Sequence, residues 1–153
     1  IHGVDLVQYF FRPIAEVHAF TRSVTTPDEV VDSVAAAFQT RDGVHGTMIS
    51  NYCSEVAFEY RISGTAGTLR SAGHTLRVSA TGEEEEVDDY SAYSHESYRR
   101  QMEAFAKAIR EGTDPETNGW VGLQALAVVE ALQQSAEAKA PQPVPDVHSL
   151  QAA

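Results

Sequence analysis

His2 and Asp5 stand three residues apart at the start of the chain. In a helix that spacing puts an imidazole and a carboxylate on one face. An imidazole titrates near neutrality, which suits it to give a proton to an alcohol oxygen or to take one from it. On spacing alone, the pair reads as a helix-surface contact before it reads as a catalytic one. Asn51 and Tyr52 form a second candidate, an amide and a phenol at the expected end of a strand, where pocket residues often lie. There too the structural reading comes first. The six histidines, His2, His18, His45, His74, His95 and His148, contain no pair at a ligand spacing and no His-Glu-x-x-His. No metal is therefore expected. Gly64 and Gly67 join strand to strand and open no helix, so they make no phosphate loop. No Gly-x-Ser-x-Gly elbow supports a hydrolase. Cys53 lacks basic neighbours and reads as packing. As the single cysteine it forms no internal disulfide, which fits a reducing, cytoplasmic compartment.

The elements that must position these residues follow from periodicity. Val4, Leu6, Val7, Phe10 and Phe11 recur at helical spacing, and Arg12-Pro13 ends that helix. The helix has no capping side chain at its start and would leave orphan amides, so the natural chain is expected to continue upstream of Ile1. Residues 14–21 place Ala15, Val17 and Ala19 opposite Glu16, His18 and Phe20, as in a strand. Thr25 to Asp28 is a loop, and residues 30–40 form a second strand with Val34, Ala36 and Phe38 on one face. Asp42-Gly43 is a hairpin signal, and a third strand runs from Val44 to about Tyr52. Glu55 to Ile62 is the clearest alternation, and Val56, Phe58, Tyr60 and Ile62 are expected to be buried along one face. Short strands follow at Thr68–Arg70 and Thr75–Ala80. The run Glu83–Glu86, with Asp88 and Asp89, reads as a solvated loop.

Two helices close the chain. Tyr98, Met102, Phe105 and Ile109 mark the apolar stripe of the first, and Gly112 is placed to end it. The second, from about Asn118 to Lys139, is apolar nearly all round, with Trp120, Leu123, Leu126, Val128, Val129 and Leu132. That pattern fits a helix buried on more than one side. Pro141, Pro143 and Pro145 then open a tail expected to be extended or unstructured to Ala153. The sum is an α+β layered domain over residues 1–140 with a Pro-rich tail, 141–153. It should hold one predominantly antiparallel open sheet from Ile14 to Ala80, with the helices on one face.

A chain of 153 residues has room for one ordinary core. A net charge of −11, with Lys107 and Lys139 the only lysines, argues against nucleic acid and anionic membrane as partners. Ala35, Ala37, Ala57 and Thr47 are small residues on the sheet face opposite the helices. They would let a second sheet approach to about 10 Å, and a homodimer or tetramer through that open face is expected.

Across about 135 residues the chain resembles the C-terminal domain of the glucose–fructose oxidoreductase, inositol dehydrogenase and rhizopine-catabolism (Gfo/Idh/MocA) family, a dihydrodipicolinate-reductase-like fold. The resemblance rests on His2-x-x-Asp5-Leu6, on Val31-Asp32-Ser33-Val34-Ala35 with Asp42-Gly43-Val44-His45-Gly46-Thr47, and on Ile62 to Leu69. Phe105 to Ile109 and Leu126 to Ala136 are similar to the family's last two helices. It implies the substrate-binding and assembly half of an NAD- or NADP-dependent dehydrogenase of sugars, cyclitols or related secondary alcohols. By that resemblance His2 is the proton relay and Asp5 supports it, while the dinucleotide is bound by an N-terminal Rossmann domain. This chain has no Gly-x-Gly-x-x-Gly, so no cofactor is expected on it alone and it should be inactive by itself. Arg12 stands where a glycine is common, and Val121 where many members have aspartate, which bears on the substrate. The alternative is a stand-alone, non-enzymatic α+β domain for oligomerisation or small-molecule binding.

Overall fold

The computed structural model describes residues 1–27, 30–80, 83–147 and 149, with the side chains at 83–88, 94 and 95 outside the description. Asp28, His148, the side chain of His95 and the end of the tail therefore lie outside the described residues. The order of elements is α1 (His2–Phe10), β1 (Ile14–Arg22), β2 (Ser33–Thr40), β3 (His45–Asn51), β4 (Glu59–Gly64), β5 (Gly67–Ala72), β6 (Thr75–Ala80), β7 (Glu83–Asp89), a 3-10 turn (Tyr90–Tyr93), α2 (Ser94–Glu111), α3 (Gly119–Ala138) and β8 (Gln142–Pro143). Every strand pairing is antiparallel, and the class is α+β. The strands do not form one sheet. They divide into two of four strands each, ordered β3-β2-β1-β8 and β4-β5-β6-β7. The chain separates correspondingly into two compact units, residues 1–54 with 116–153, and residues 55–115.

In the first unit α1 and α3 cover one face of the sheet, and Val4, Ile14, Val17, Ala36, Phe38, Val128 and Leu132 meet in its core. Full burial of a side chain such as Val17 or Val128 stabilises by roughly 1.5–3 kcal/mol. A bulge explains how Ile14 joins Val17 and Ala19 inside. The register slips between Ile14 and Glu16, so Ala15 is the extra residue and Ile14 turns to the core. Strict alternation would have turned it out. Phe38 covers Gly46 across the β2–β3 pair, where any side chain would collide with the ring. The tail is not loose through Val147. Gln142 and Pro143 pair with β1, and Val144 and Val147 are buried. Gln124 of α3 clamps this segment: its amide nitrogen donates to the Pro145 carbonyl at 3.0 Å, and its oxygen accepts from the Val147 amide at 3.0 Å. At the helix's other end Ser135 accepts from Ala19 N at 3.0 Å and donates to the Ala140 carbonyl at 2.7 Å.

The second unit is a meander of hairpins. Gly67 adopts a positive φ of 150° beside the Ser79 carbonyl, so no side chain fits there. Three expectations change. Residues 55–58 are not strand, and Val56 and Phe58 are exposed; only Tyr60 and Ile62 are half-buried. The β5–β6 turn at Gly73-His74 is the reason: the partner strand ends at Ala72, opposite Glu59, and past it the Gly73 amide donates to the Phe58 carbonyl at 3.2 Å without extending the ladder. The acidic run is strand β7, not a loop, because pairing with β6 uses backbone groups and is indifferent to which side chains they carry. Along α2 the stripe Tyr98, Met102, Phe105 and Ile109 is exposed, and Ala108 is its buried residue. Gly112 ends that helix in the left-handed conformation, as expected.

Candidate functional site

The first turns of α1 and α3 enclose a cleft of about 180 Å³ lined by Ile1, His2, Asp5, Asn118, Val121 and Gly122, with Thr117 and Ala125. Each helix gets there for a local reason. α1 is anchored by Val4, which is buried against the core, so His2, two positions before it, and Asp5, the next residue, project at the rim. His2 is exposed and Asp5 half-buried. α3 starts at Asn118, whose side-chain oxygen accepts from Trp120 N at 2.9 Å and Val121 N at 3.2 Å, an N-cap of the usual kind. The structure thus places His2 and Asp5 in one concavity, as their spacing suggests. It adds Thr117 and Asn118, which sequence reasoning did not single out as site residues, and Val121, which entered only through the family resemblance. The signal for Asn118 was present: an asparagine directly ahead of a long apolar run.

Asn51 and Tyr52 are not brought to that cleft. They line a different hollow of about 440 Å³ with Thr26, Val30, Val31, Asp32, Val34 and Ser50. The 17 residues from Asn118 to Ser135 make about 25 Å of helix. Ser135 meets β1 at Ala19, and the sheet runs on from there through Arg22 and Ser33 to Asn51. The two hollows share no lining residue. Both residues already have structural contacts: Asn51 accepts from the Ser33 hydroxyl at 2.8 Å, and Tyr52 N donates to the Asp32 carbonyl at 2.7 Å.

The strongest electrostatic feature lies in this second hollow. The Asp32 carboxylate accepts from the backbone amides of Val24 (2.7 Å), Thr25 (2.7 Å) and Thr26 (3.0 Å) and from the Thr25 and Thr26 hydroxyls. These donors, the Thr25 amide foremost, hold its pKa well below the usual carboxylate range, against the opposing effect of burial. The charge fastens the β1–β2 loop. A shallower depression of about 580 Å³ crosses β1, β2 and β3 near Glu16, His18, Gln39, His45 and Thr47. It is a sheet surface rather than an enclosed site.

Among the described residues no group of three His, Cys, Asp or Glu is arranged to hold a metal ion. No helix among them is long and apolar enough to cross a membrane. The dinucleotide fingerprint is likewise missing from the chain, and each glycine turn between strands leads to another strand.

Comparison with known proteins adds the family. The model described as "Oxidoreductase family, C-terminal alpha/beta domain" matches residues 1–145. Among solved structures, a Desulfitobacterium hafniense protein assigned as an NADPH-dependent oxidoreductase is similar at a TM-score of 0.84 and 23% identity, over 94% of this chain and 46% of that one. Levoglucosan dehydrogenase in complex with NADH and levoglucosan aligns at 0.84 and 18% identity, over 95% and 49%. The WlbA dehydrogenase of Bordetella pertussis, in complex with NADH and UDP-GlcNAcA, aligns at 0.70 and 28% identity, over 94% and 43%. The chain thus spans somewhat under half the length of each. No match is found among curated proteins.

Proposed function

The chain belongs to the oxidoreductase family as its C-terminal α/β domain, and from that premise we propose that it is the substrate-binding and assembly half of an NAD- or NADP-dependent dehydrogenase acting on a secondary alcohol of a sugar, cyclitol or related compound. The dinucleotide would be held by an N-terminal Rossmann domain, the partner this half requires; alone, these residues would not turn over substrate. One observation carries the reading: His2 opens onto a cleft that also contains Asp5 and the polar start of α3. Neighbours of the same fold that are crystallised with NADH and a sugar or sugar nucleotide support the substrate class.

In this reading a ring nitrogen of His2 takes the proton of the substrate hydroxyl in oxidation and returns it in reduction. Asp5, one turn on, supports the imidazole by orientation and charge. Asn51 and Tyr52 are assigned to the loop cluster around Asp32. The test is His2→Asn in the full-length protein, which keeps the size and removes the titration. Turnover should fall about 10²- to 10⁴-fold, equivalent to roughly 3–5 kcal/mol of barrier, with dinucleotide affinity unchanged. Turnover within a few-fold of the original would remove His2 from the chemistry.

The assembly half of the reading rests on the uncovered face of the first sheet. Its rows, read across β1, β2 and β3, are Glu16–Gln39–His45, His18–Ala37–Thr47 and Phe20–Ala35–Ile49. Phe20 and Ile49 are 72% and 74% exposed, with the His18 ring stacked on Phe20 at 5.6 Å. Small residues between two large apolar ones suit a second sheet in face-to-face packing. Ala57, expected on this face, lies outside the strands. Light scattering of Phe20→Glu should show dissociation of a dimer or tetramer; a protein monomeric before the change would refute this part.

A further inference from the structure

Asn118 does more in the His2 cleft than begin α3. Its carboxamide oxygen accepts from two backbone amides, Trp120 N and Val121 N, at 2.9 and 3.2 Å. Only the oxygen end of a carboxamide can do that, so the amide cannot be reversed, and its NH₂ is fixed on the side away from the helix. Among the described residues no acceptor takes those hydrogens, and the residue lines the cleft shared with His2 and Asp5. Two backbone amides at this helix start, Trp120 N and Val121 N, are taken by the cap, and the inference concerns the Asn118 side chain rather than the helix terminus. What remains is one oriented side-chain donor beside a candidate proton relay, with the apolar Val121 on the same wall.

We propose that Asn118 is a substrate-binding residue whose NH₂ donates to an oxygen of a polyhydroxylated substrate next to the carbon served by His2. The proposal rests on the reading of the His2 cleft as the substrate site. A locked donor is worth more to recognition than a free one. The rotamer is already fixed by the cap, so little conformational freedom is lost when the substrate arrives.

The cap and the donor can be separated. Asn118→Ser keeps an N-cap oxygen and removes the NH₂, whereas Asn118→Ala removes both. In the full-length protein, assayed with its alcohol substrate, both variants should raise KM about three- to tenfold, the loss of one neutral hydrogen bond, with kcat within about twofold. Only Asn118→Ala should lower the melting temperature. If KM rises in the alanine variant alone, in step with melting, Asn118 is only a cap and the proposal is overturned. His2→Asn measured beside them separates the two readings. Lost turnover in His2→Asn with unchanged KM in Asn118→Ser removes Asn118 while leaving the site. Retained turnover in His2→Asn removes the site reading itself and the proposal with it.

Discussion

The unit formed by residues 1–54 and 116–153 gathers thirteen buried apolar residues into one cluster, whereas Ala108 is the buried apolar residue among those described between 55 and 115. The contrast follows from how each is built. In the first, α3 is apolar nearly all round and lies between the sheet, α1 and the returning tail, so it has something to bury on several sides. In the second, hairpins pair locally and one sheet face is polar. Arg61, Arg70 and Arg77 stand in one cross-strand row, with Ser63, Thr68 and Ser79 in the next. Backbone pairing and a half-buried row of Ile62, Leu69 and Val78 hold this meander, and its helix keeps an apolar stripe uncovered. The cleft with His2 sits on the densely packed unit, where the elements carrying its walls are least free to shift. Positioning of reacting groups requires that.

The sharpest test of the contrast is a pair of truncations in the two helices. Leu132→Ala in α3 removes a side chain that is 6% exposed and should cost about 2–5 kcal/mol in equilibrium unfolding. Ile109→Ala in α2, where the residue is 67% exposed, should stay within about 0.5 kcal/mol. Equal costs would break the comparison, because they would mean the α2 stripe is covered in solution.

Next in size is the tail clamp. Gln124→Leu preserves bulk but leaves the Pro145 carbonyl and the Val147 amide without their partner, at about 1–3 kcal/mol. Hydrogen exchange at Val147 should accelerate together with the loss of stability. The corresponding polar change in the second unit, Arg70→Ala at the exposed pair with Glu59, should cost about 0–1 kcal/mol. A clamp as cheap to remove as that surface pair would show Val144 and Val147 held by packing alone.

Several elements of the first unit were legible in the sequence, but the division itself was not, because one open sheet was expected where there are two; the misses have physical causes. The α1 and α3 spans, strands β1 to β3 and the shared placement of His2 and Asp5 follow from periodicity and spacing, whereas β8 does not. Ile14 was not placed because a bulge shifts the period by one residue, and a single chain does not announce its bulges. Val56 and Phe58 alternate as well as any strand, but alternation says nothing about whether a partner strand extends far enough to pair. The acids of β7 look like a loop when judged by charge, yet an edge strand with one paired side tolerates charges and is protected by them. The tail, with its three prolines, looks unfoldable until Gln124 is seen to satisfy its backbone. That residue sits inside an apolar helix pattern, and nothing in the pattern sets it apart.

The smallest effect compares two carboxylates, one in each unit, both with lowered pKa values. Asp32 is held down by the Thr25, Val24 and Thr26 donors, while Glu96 is brought to about 2 first by Arg99 and then by Arg100, at 3.1 Å in the second case. For both, the folded pKa lies below the unfolded one. Each therefore contributes stability at neutral pH that is fully present above the ordinary carboxylate range and is lost as pH falls through the folded value. For Glu96 that window runs from its usual 4.5 down to about 2; for Asp32 the loss begins near its usual 3.8 and continues to lower pH. Salt separates them. Exposed ion pairs are screened, so raising ionic strength should erase the Glu96 part, and Glu96→Gln should change little at high salt. Hydrogen bonds from backbone amides to a buried carboxylate are screened far less, so Asp32→Asn should flatten the acid limb of the stability curve at any salt concentration. An acid limb in the parent protein that vanishes entirely in high salt would assign the sensitivity to the surface of α2 and leave Asp32 without measurable effect.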